Sequence, residues 1–266
     1  MNKLEPIVKD DHLRERWEKR AADEGSSKSS VLFRGLPKTL NEHVNDFQEY
    51  ILLKYCLPRI KPSASILDLG CGYGRITKFV KQYDKSLNIT GLDFSNHFCA
   101  LYNKETSCRA VCADLNNTPF QNQSFDCIIA FTSLMYIPTN DRDKVMKNIA
   151  SLLKPGGIGF FLDSGQEYIK LVSLIIPSRN KQSTGGNGFT TKEYDKLGCT
   201  NGLEIIHRGG MTFFSLSMPF LLLIKNFEII LTPFLKLVGW LDKIFYSSRF
   251  LSIHQWMVVK KTDVNN

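Results

Sequence analysis

Apolar positions recur with two different periods along the chain, and the switches between them mark out a series of short elements. Val44, Phe47, Ile51, Leu52 and Tyr55 fall on one helical face, predicting a helix from Asn41 to about Leu57 that Pro58 and Pro62 end. Before it, residues 11–22 read as a charged surface helix, followed by a loop rich in glycine and serine. From residue 66 onward, short apolar runs alternate with helical stripes. Ile66–Leu69, Asn88–Asp93, Arg109–Ala113, Cys127–Phe131 and Ile158–Leu162 read as strands. Arg75–Tyr83 and the stripe through Val145, Met146, Ile149 and Leu152 read as helices, and Ser95 as the N-cap of another. Lys154-Pro155-Gly156-Gly157 stops a helix and turns into a strand. This βαβα alternation predicts an α/β fold on a parallel, doubly wound sheet.

After Asp163 the pattern loosens. Residues 177–189 are a polar, glycine-rich loop; a short helix near Thr191–Leu197 and strands near Leu203–His207 and His254–Val259 follow. Residues 211–251 stand apart, with 25 of 41 positions apolar or aromatic. Their longest uncharged run, Gly209–Ile224, is 16 residues, short of the roughly 20 that span a bilayer. The chain therefore divides into an N-terminal helical extension, 1–60, and a main domain, 61–266, carrying an apolar helical insertion at 211–251. Three readings of the insertion stay open: a hairpin packed on the core or in a homodimer, a lid over an apolar acceptor, or a helix lying on a membrane surface.

Composition narrows the class. The balance of 34 basic and 26 acidic residues gives a net charge of +8 over 266 residues, a weak signal that makes nucleic acid an unfavoured partner. Seven cysteines with no CxxC pair argue against a disulfide framework or a metal site. The first 29 residues carry 14 charges and no apolar block, so no secretory signal is expected. The expectation is a cytoplasmic protein, with peripheral membrane contact through 211–251 left as one of the open readings.

The chemistry concentrates in Asp68-Leu69-Gly70-Cys71-Gly72-Tyr73-Gly74-Arg75, a strand entering a glycine turn and then a helix. Glycines allow a sharp turn and close approach of a ligand. The spacing is G-x-G-x-G, with Arg75 where a dinucleotide fingerprint wants a third glycine. Asp68 ahead of the turn would also repel a pyrophosphate, so a cationic or zwitterionic ligand suits the turn better.

At this point the sequence resembles the class I S-adenosylmethionine-dependent methyltransferases, over about residues 64–163. Asp93, at the end of the second strand, matches the family's ribose-binding acid. Cys112-Ala113-Asp114-Leu115, followed by Pro119-Phe120 and Ser124-Phe125-Asp126, resembles its adenine region. Leu153-Lys154-Pro155-Gly156-Gly157 resembles the turn before the fifth strand. Asp126 is assigned to its own turn and left out of the site. The resemblance implies a Rossmann-like seven-stranded sheet of order 3-2-1-4-5-7-6 with the last strand antiparallel, and S-adenosyl-L-methionine as cofactor. It implies a cofactor site of Asp68, Gly70, Cys71, Gly72, Gly74, Asp93, Phe94, Asp114, Leu115 and Phe131.

Ligands of open α/β sheets lie beyond the carboxyl ends of the strands, which makes Phe131, Thr132, Tyr136, Asp163 and Ser164 the acceptor-side candidates. His43, Tyr136, Asp163 and His207 are the candidate bases, and none stands out. The expected function is methyl transfer to a small-molecule, glycan or lipid-linked acceptor at oxygen. An RNA methyltransferase and a non-catalytic cofactor-binding subunit are the alternatives.

Overall fold

The computed structural model describes residues 9–175 and 186–262. Most of the glycine-rich loop expected at 177–189 lies outside the described residues. Seven strands form one sheet: β1 (Ser65–Leu69), β2 (Asn88–Asp93), β3 (Arg109–Cys112), β4 (Phe125–Phe131), β5 (Leu153–Asp163), β6 (Leu203–Gly210) and β7 (Gln255–Lys261). Their order is β3-β2-β1-β4-β5-β7-β6. The first five pair in parallel, and β7 runs antiparallel to both β5 and β6. This is the Rossmann-like topology that the alternation and the resemblance led one to expect.

Strand periodicity divides the core. Ile66 packs into one apolar cluster while Leu67 and Leu69 enter the other; Phe160 and Leu162 split from Phe161 in the same way. On the first face lie α2 (Lys38–Tyr55), α3 (Arg75–Tyr83), α8 (Thr212–Ile224) and α9 (Glu228–Ile244); on the second, α5 (Arg142–Leu152) and α7 (Thr191–Gly198). On the β2–β3 side of the sheet, α1 (Lys9–Glu24) packs on α4 (Asn96–Thr106) through Trp17, Ala21 and Phe98.

Three local outcomes differ from the expectation. The helix α6 (Gln166–Ile175) follows β5 directly, where only irregular chain was anticipated. Pairing of β5 already begins at Leu153, opposite Phe125, and resumes with Ile158 opposite Cys127, so the Lys154–Gly157 turn is a bulge inside a strand. Last, the insertion is a helical hairpin, as one of the open readings had it, but its first helix is capped from its second, which was not anticipated. The N–H groups of Phe213 and Phe214 donate to Oδ1 and Oδ2 of the buried Asp242 at 2.7 and 3.0 Å. A helix N-terminus exposes unpaired N–H groups, and here a carboxylate distant in sequence satisfies them.

Candidate active site

Where β1, β2 and β4 end, a cavity of about 300 Å³ opens above the glycine turn. Gly70 and Gly72 adopt φ of 67° and 51°, the left-handed region that glycine enters at little cost. A Cβ at Gly70 would lie 2.4 Å from the Ser133 Cβ, and one at Gly72 2.8 Å from Val31 Cγ1. Ser133 and Val31 both line the cavity, so the turn glycines shape its wall as well as its floor.

Asp93 ends β2 and is buried at 6% exposure while still lining the cavity. The Gly72 N–H donates to its Oδ2 and the Ser95 N–H to its Oδ1, both at 2.9 Å. Each carboxylate oxygen has two acceptor sites, so capacity for two hydroxyl donors is left. Burial pushes its carboxyl up to about 6, against the lowering effect of those N–H groups. Asp114 closes an Asx turn in which Asn116 N–H and Nδ2 donate to Oδ1 at 2.7 and 2.8 Å. Phe94, Ala113, Leu115 and Phe131 supply apolar wall, and Thr132 and Tyr136 complete the side above β4. Thr132 has φ 52°, a strained conformation for a β-branched residue of the kind that gathers at functional sites.

Thus the structure brings Gly70, Gly72, Asp93, Phe94, Asp114, Leu115, Phe131 and Tyr136 into one cavity. Asp68, Cys71 and Gly74, expected to share it, do not line it. Asp68 shares the strand parity of Ile66 and turns toward α3, where the Thr77 hydroxyl donates to it at 2.7 Å and burial pushes it up to about 6. The Cys71 thiol packs under the turn against Gly91, and Gly74 is where α3 presses on Tyr102 and Thr106 of α4.

Three base candidates also sit elsewhere. His43 stacks on Phe214 at 5.0 Å beneath the hairpin, and burial lowers it to about 4. His207 lies on β6 beside Arg59, its pKa lowered by burial and by that guanidinium. Asp163 is fully buried behind the cavity wall: the Met135 N–H donates to its Oδ1 at 3.0 Å and the Tyr194 hydroxyl to its Oδ2 at 3.3 Å. Burial raises it to about 8.

Sequence reasoning missed the roof. Leu13, Arg14 and Trp17 of α1 line the cavity, and Trp17 meets Tyr136 edge-on at 5.5 Å. Glu18 fixes this helix in place. Its carboxylate accepts from the N–H groups of Asn96 and His97 at 2.6 and 3.1 Å, and from the Ser95 hydroxyl at 3.0 Å. A carboxylate at the N-terminus of α4 also meets the positive end of the helix dipole. The missed signal was Leu13, Trp17 and Ala21, an apolar stripe of helical spacing on an otherwise charged segment.

A Rossmann-like sheet with a glycine turn, an acid ending β2 and an apolar cavity beyond the strand ends defines a class I methyltransferase domain. The methyltransferase-domain family matches residues 66–157, a match that together with the relatives supports a class I S-adenosylmethionine-dependent methyltransferase. It is 36% identical over 98 residues to a sterol 4-C-methyltransferase of Caenorhabditis elegans, covering 34% of this chain and 28% of that one. An O-methyltransferase of Pyrenophora dematioidea is 33% identical over 160 residues, 52% and 59% of the two chains. Among solved structures, magnesium protoporphyrin IX methyltransferase from Synechocystis shares the fold at TM-score 0.58 and 13% identity, covering 95% of this chain and 97% of that one. The chain spans between 26% and 59% of the length of the first curated relatives it matches.

Proposed function

We propose that the protein transfers the methyl group of S-adenosylmethionine to an oxygen of a small, partly apolar acceptor. The carrying observation is the cavity itself, which joins a carboxylate with spare acceptor sites to a wall of aromatic rings. Two acids, Asp93 and Asp114, and the aromatic side chains of Trp17, Phe98, Phe131 and Tyr136 suit a cation carrying hydroxyls. Bound there, S-adenosylmethionine supplies an activated methyl group on its sulfonium.

The chain's own residues would then bind and orient. Asp93 holds the two ribose hydroxyls. The Asp114–Asn116 turn faces the adenine, with Phe94 and Leu115 as apolar walls, and Gly70 and Gly72 keep the floor clear of side chains. The α1 roof, with Trp17 over Tyr136, excludes water from the acceptor. Positioning of this kind can account for roughly 7–11 kcal/mol of a barrier.

Among the described residues that line the cavity, the ionisable ones are Arg14, Asp93, Asp114 and Tyr136, and none is a histidine. An acceptor that loses its proton readily, a phenol or a carboxylic acid, fits such a lining better than an alcohol needing a strong base. The roof of α1 also suits a small molecule better than a folded RNA. The test is transfer of labelled methyl from S-adenosylmethionine to fractionated cell extract. Label in organic-soluble or small aqueous metabolites is expected. Label confined to RNA would overturn the acceptor, and label in no fraction would overturn the activity.

A further inference from the structure

The α8–α9 hairpin has two faces, and only one of them is used by the fold. Phe214, Met218 and Leu221 of α8 and Leu231, Leu235 and Val238 of α9 are buried against the sheet and α2. The opposite face is also apolar. Leu216, Phe220 and Leu223 repeat along α8 at helical spacing, and Ile230, Leu237 and Ile244 do so along α9. Phe220 meets Phe234 at 4.9 Å across the hairpin, joining the two rows into one surface. Ile229 is 92% exposed, Leu223 77%, Phe227 62% and Trp240 57%. Isolated exposed apolar residues are ordinary, but a continuous patch of this kind marks an interaction site.

Charge says what the patch meets. Lys236 and Lys243 lie seven residues apart, along the border between the buried and outward faces of α9, and Lys225 sits at the hairpin turn. All three are exposed and form no salt bridge among the described residues. Of the hairpin's two acids, Asp242 is buried as the cap of α8 and Glu228 alone faces solvent. An apolar face with aromatic residues and a cationic border is the pattern of a helix lying in a lipid interface. No helix among the described residues is long and apolar enough to cross a membrane. A second copy of the hairpin offers Glu228 as its one exposed acid against three exposed lysines, which makes it a poorer match in charge than anionic headgroups.

We propose that the outward face of the α8–α9 hairpin docks on the surface of an anionic lipid bilayer. The hairpin begins at the cavity edge of the sheet, because β6, like β5, is antiparallel to β7 and so ends at the same edge. Docking would thus place the methyl-transfer domain against the membrane surface through its first face. The inference does not depend on the proposed acceptor, since binding is measured without methyl donor.

The experiment is co-sedimentation of the full chain with vesicles of phosphatidylcholine, with and without phosphatidylserine, at low and high salt. Binding to the anionic vesicles at low salt, released by high salt, is expected. One basic residue near an anionic surface strengthens binding roughly fivefold. The triple variant Lys225→Glu, Lys236→Glu, Lys243→Glu should therefore weaken binding by at least about a hundredfold. Leu223→Ser, Ile229→Ser and Trp240→Ser together should weaken it at least tenfold while leaving the melting temperature and S-adenosylhomocysteine affinity unchanged, a bound of about tenfold being conservative for three exposed side chains. Quenching of Trp240 fluorescence in the wild-type chain by brominated lipid gives a readout independent of any variant's folding. Absence of association with anionic vesicles at low salt, or of quenching, would overturn the proposal. So would a dimer in solution that the serine variants dissociate, which would make a second copy the occupant.

Discussion

Replacing Asp93 by asparagine tests the cofactor assignment most economically, because it removes charge while keeping shape. Asp93→Ala would confound the result, since the N–H groups of Gly72 and Ser95 would both lose their 2.9 Å partner. An unpaired buried N–H costs about 1–3 kcal/mol, so alanine threatens the turn itself. Asparagine keeps one acceptor oxygen and turns an NH₂ toward the other amide, limiting the stability loss to about 1–3 kcal/mol. For the ligand, at least one charge-assisted hydrogen bond is lost, worth about 1.5–3 kcal/mol. That corresponds to S-adenosylhomocysteine binding weakened roughly 10- to 100-fold. Titration calorimetry at neutral pH, with a thermal melt to confirm folding, measures both effects. Because burial raises the Asp93 carboxyl to about 6 and the hydroxyls favour its ionised form, wild-type affinity should also fall as pH drops below that value. The asparagine variant should lack this pH dependence. A folded variant with unchanged affinity would remove Asp93 from the site.

Other perturbations probe the surroundings. Gly72→Ala places a Cβ at φ 51° and 2.8 Å from Val31 Cγ1; a left-handed L-residue costs about 1–2 kcal/mol, so both melting temperature and ligand affinity should fall, and loss of neither would refute the close packing. Asp163 holds its proton to about pH 8 in the native chain, against an ordinary value of 3.8. Between those values the native state binds more protons than the unfolded one, so this group makes stability decline as pH rises. Across pH 6–8 the decline amounts to about 2 kcal/mol, and denaturant unfolding of Asp163→Asn should show it abolished; an unaltered slope would contradict the burial argument. Glu18→Ala should free the α4 N-terminus and loosen the roof, lowering stability by about 1–2 kcal/mol and speeding S-adenosylhomocysteine release in stopped-flow measurements, whereas unchanged release would show that α1 does not cover the site.

What the chain's pattern reveals follows from which interactions are local. Strand alternation, the glycine turn and the Ser95 cap, whose hydroxyl accepts from Phe98 N–H at 3.1 Å, are written in neighbouring residues and could be read directly. The placement of Asp126 was legible too: it accepts from Ser65 N–H and Lys154 Nζ at 2.9 and 2.7 Å, tying strand starts together away from the cavity. Tertiary pairings were not legible. Nothing near Glu18 indicates that it caps a helix far along the chain, and Asp242 looks like a surface acid until α8 is laid against α9. The insertion combined two expectations, since seven of its 25 apolar residues are buried in the core while eleven are exposed. No local pattern could assign His43, Asp163 or His207 a position relative to the cavity, because that depends on how strands β5 and β6 and helix α2 pack.

The central claim is that one cavity, floored by Gly70 and Gly72 and walled by Asp93, Asp114 and the α1 roof, is where the methyl donor binds. A crystal structure of the full chain with S-adenosylhomocysteine tests it directly. The account predicts ribose hydroxyls on the Asp93 carboxylate, adenine against the Ala113–Asn116 segment, and the sulfur facing the Thr132–Tyr136 wall beneath Trp17. Ligand bound elsewhere, or a ribose that does not touch Asp93, would contradict it.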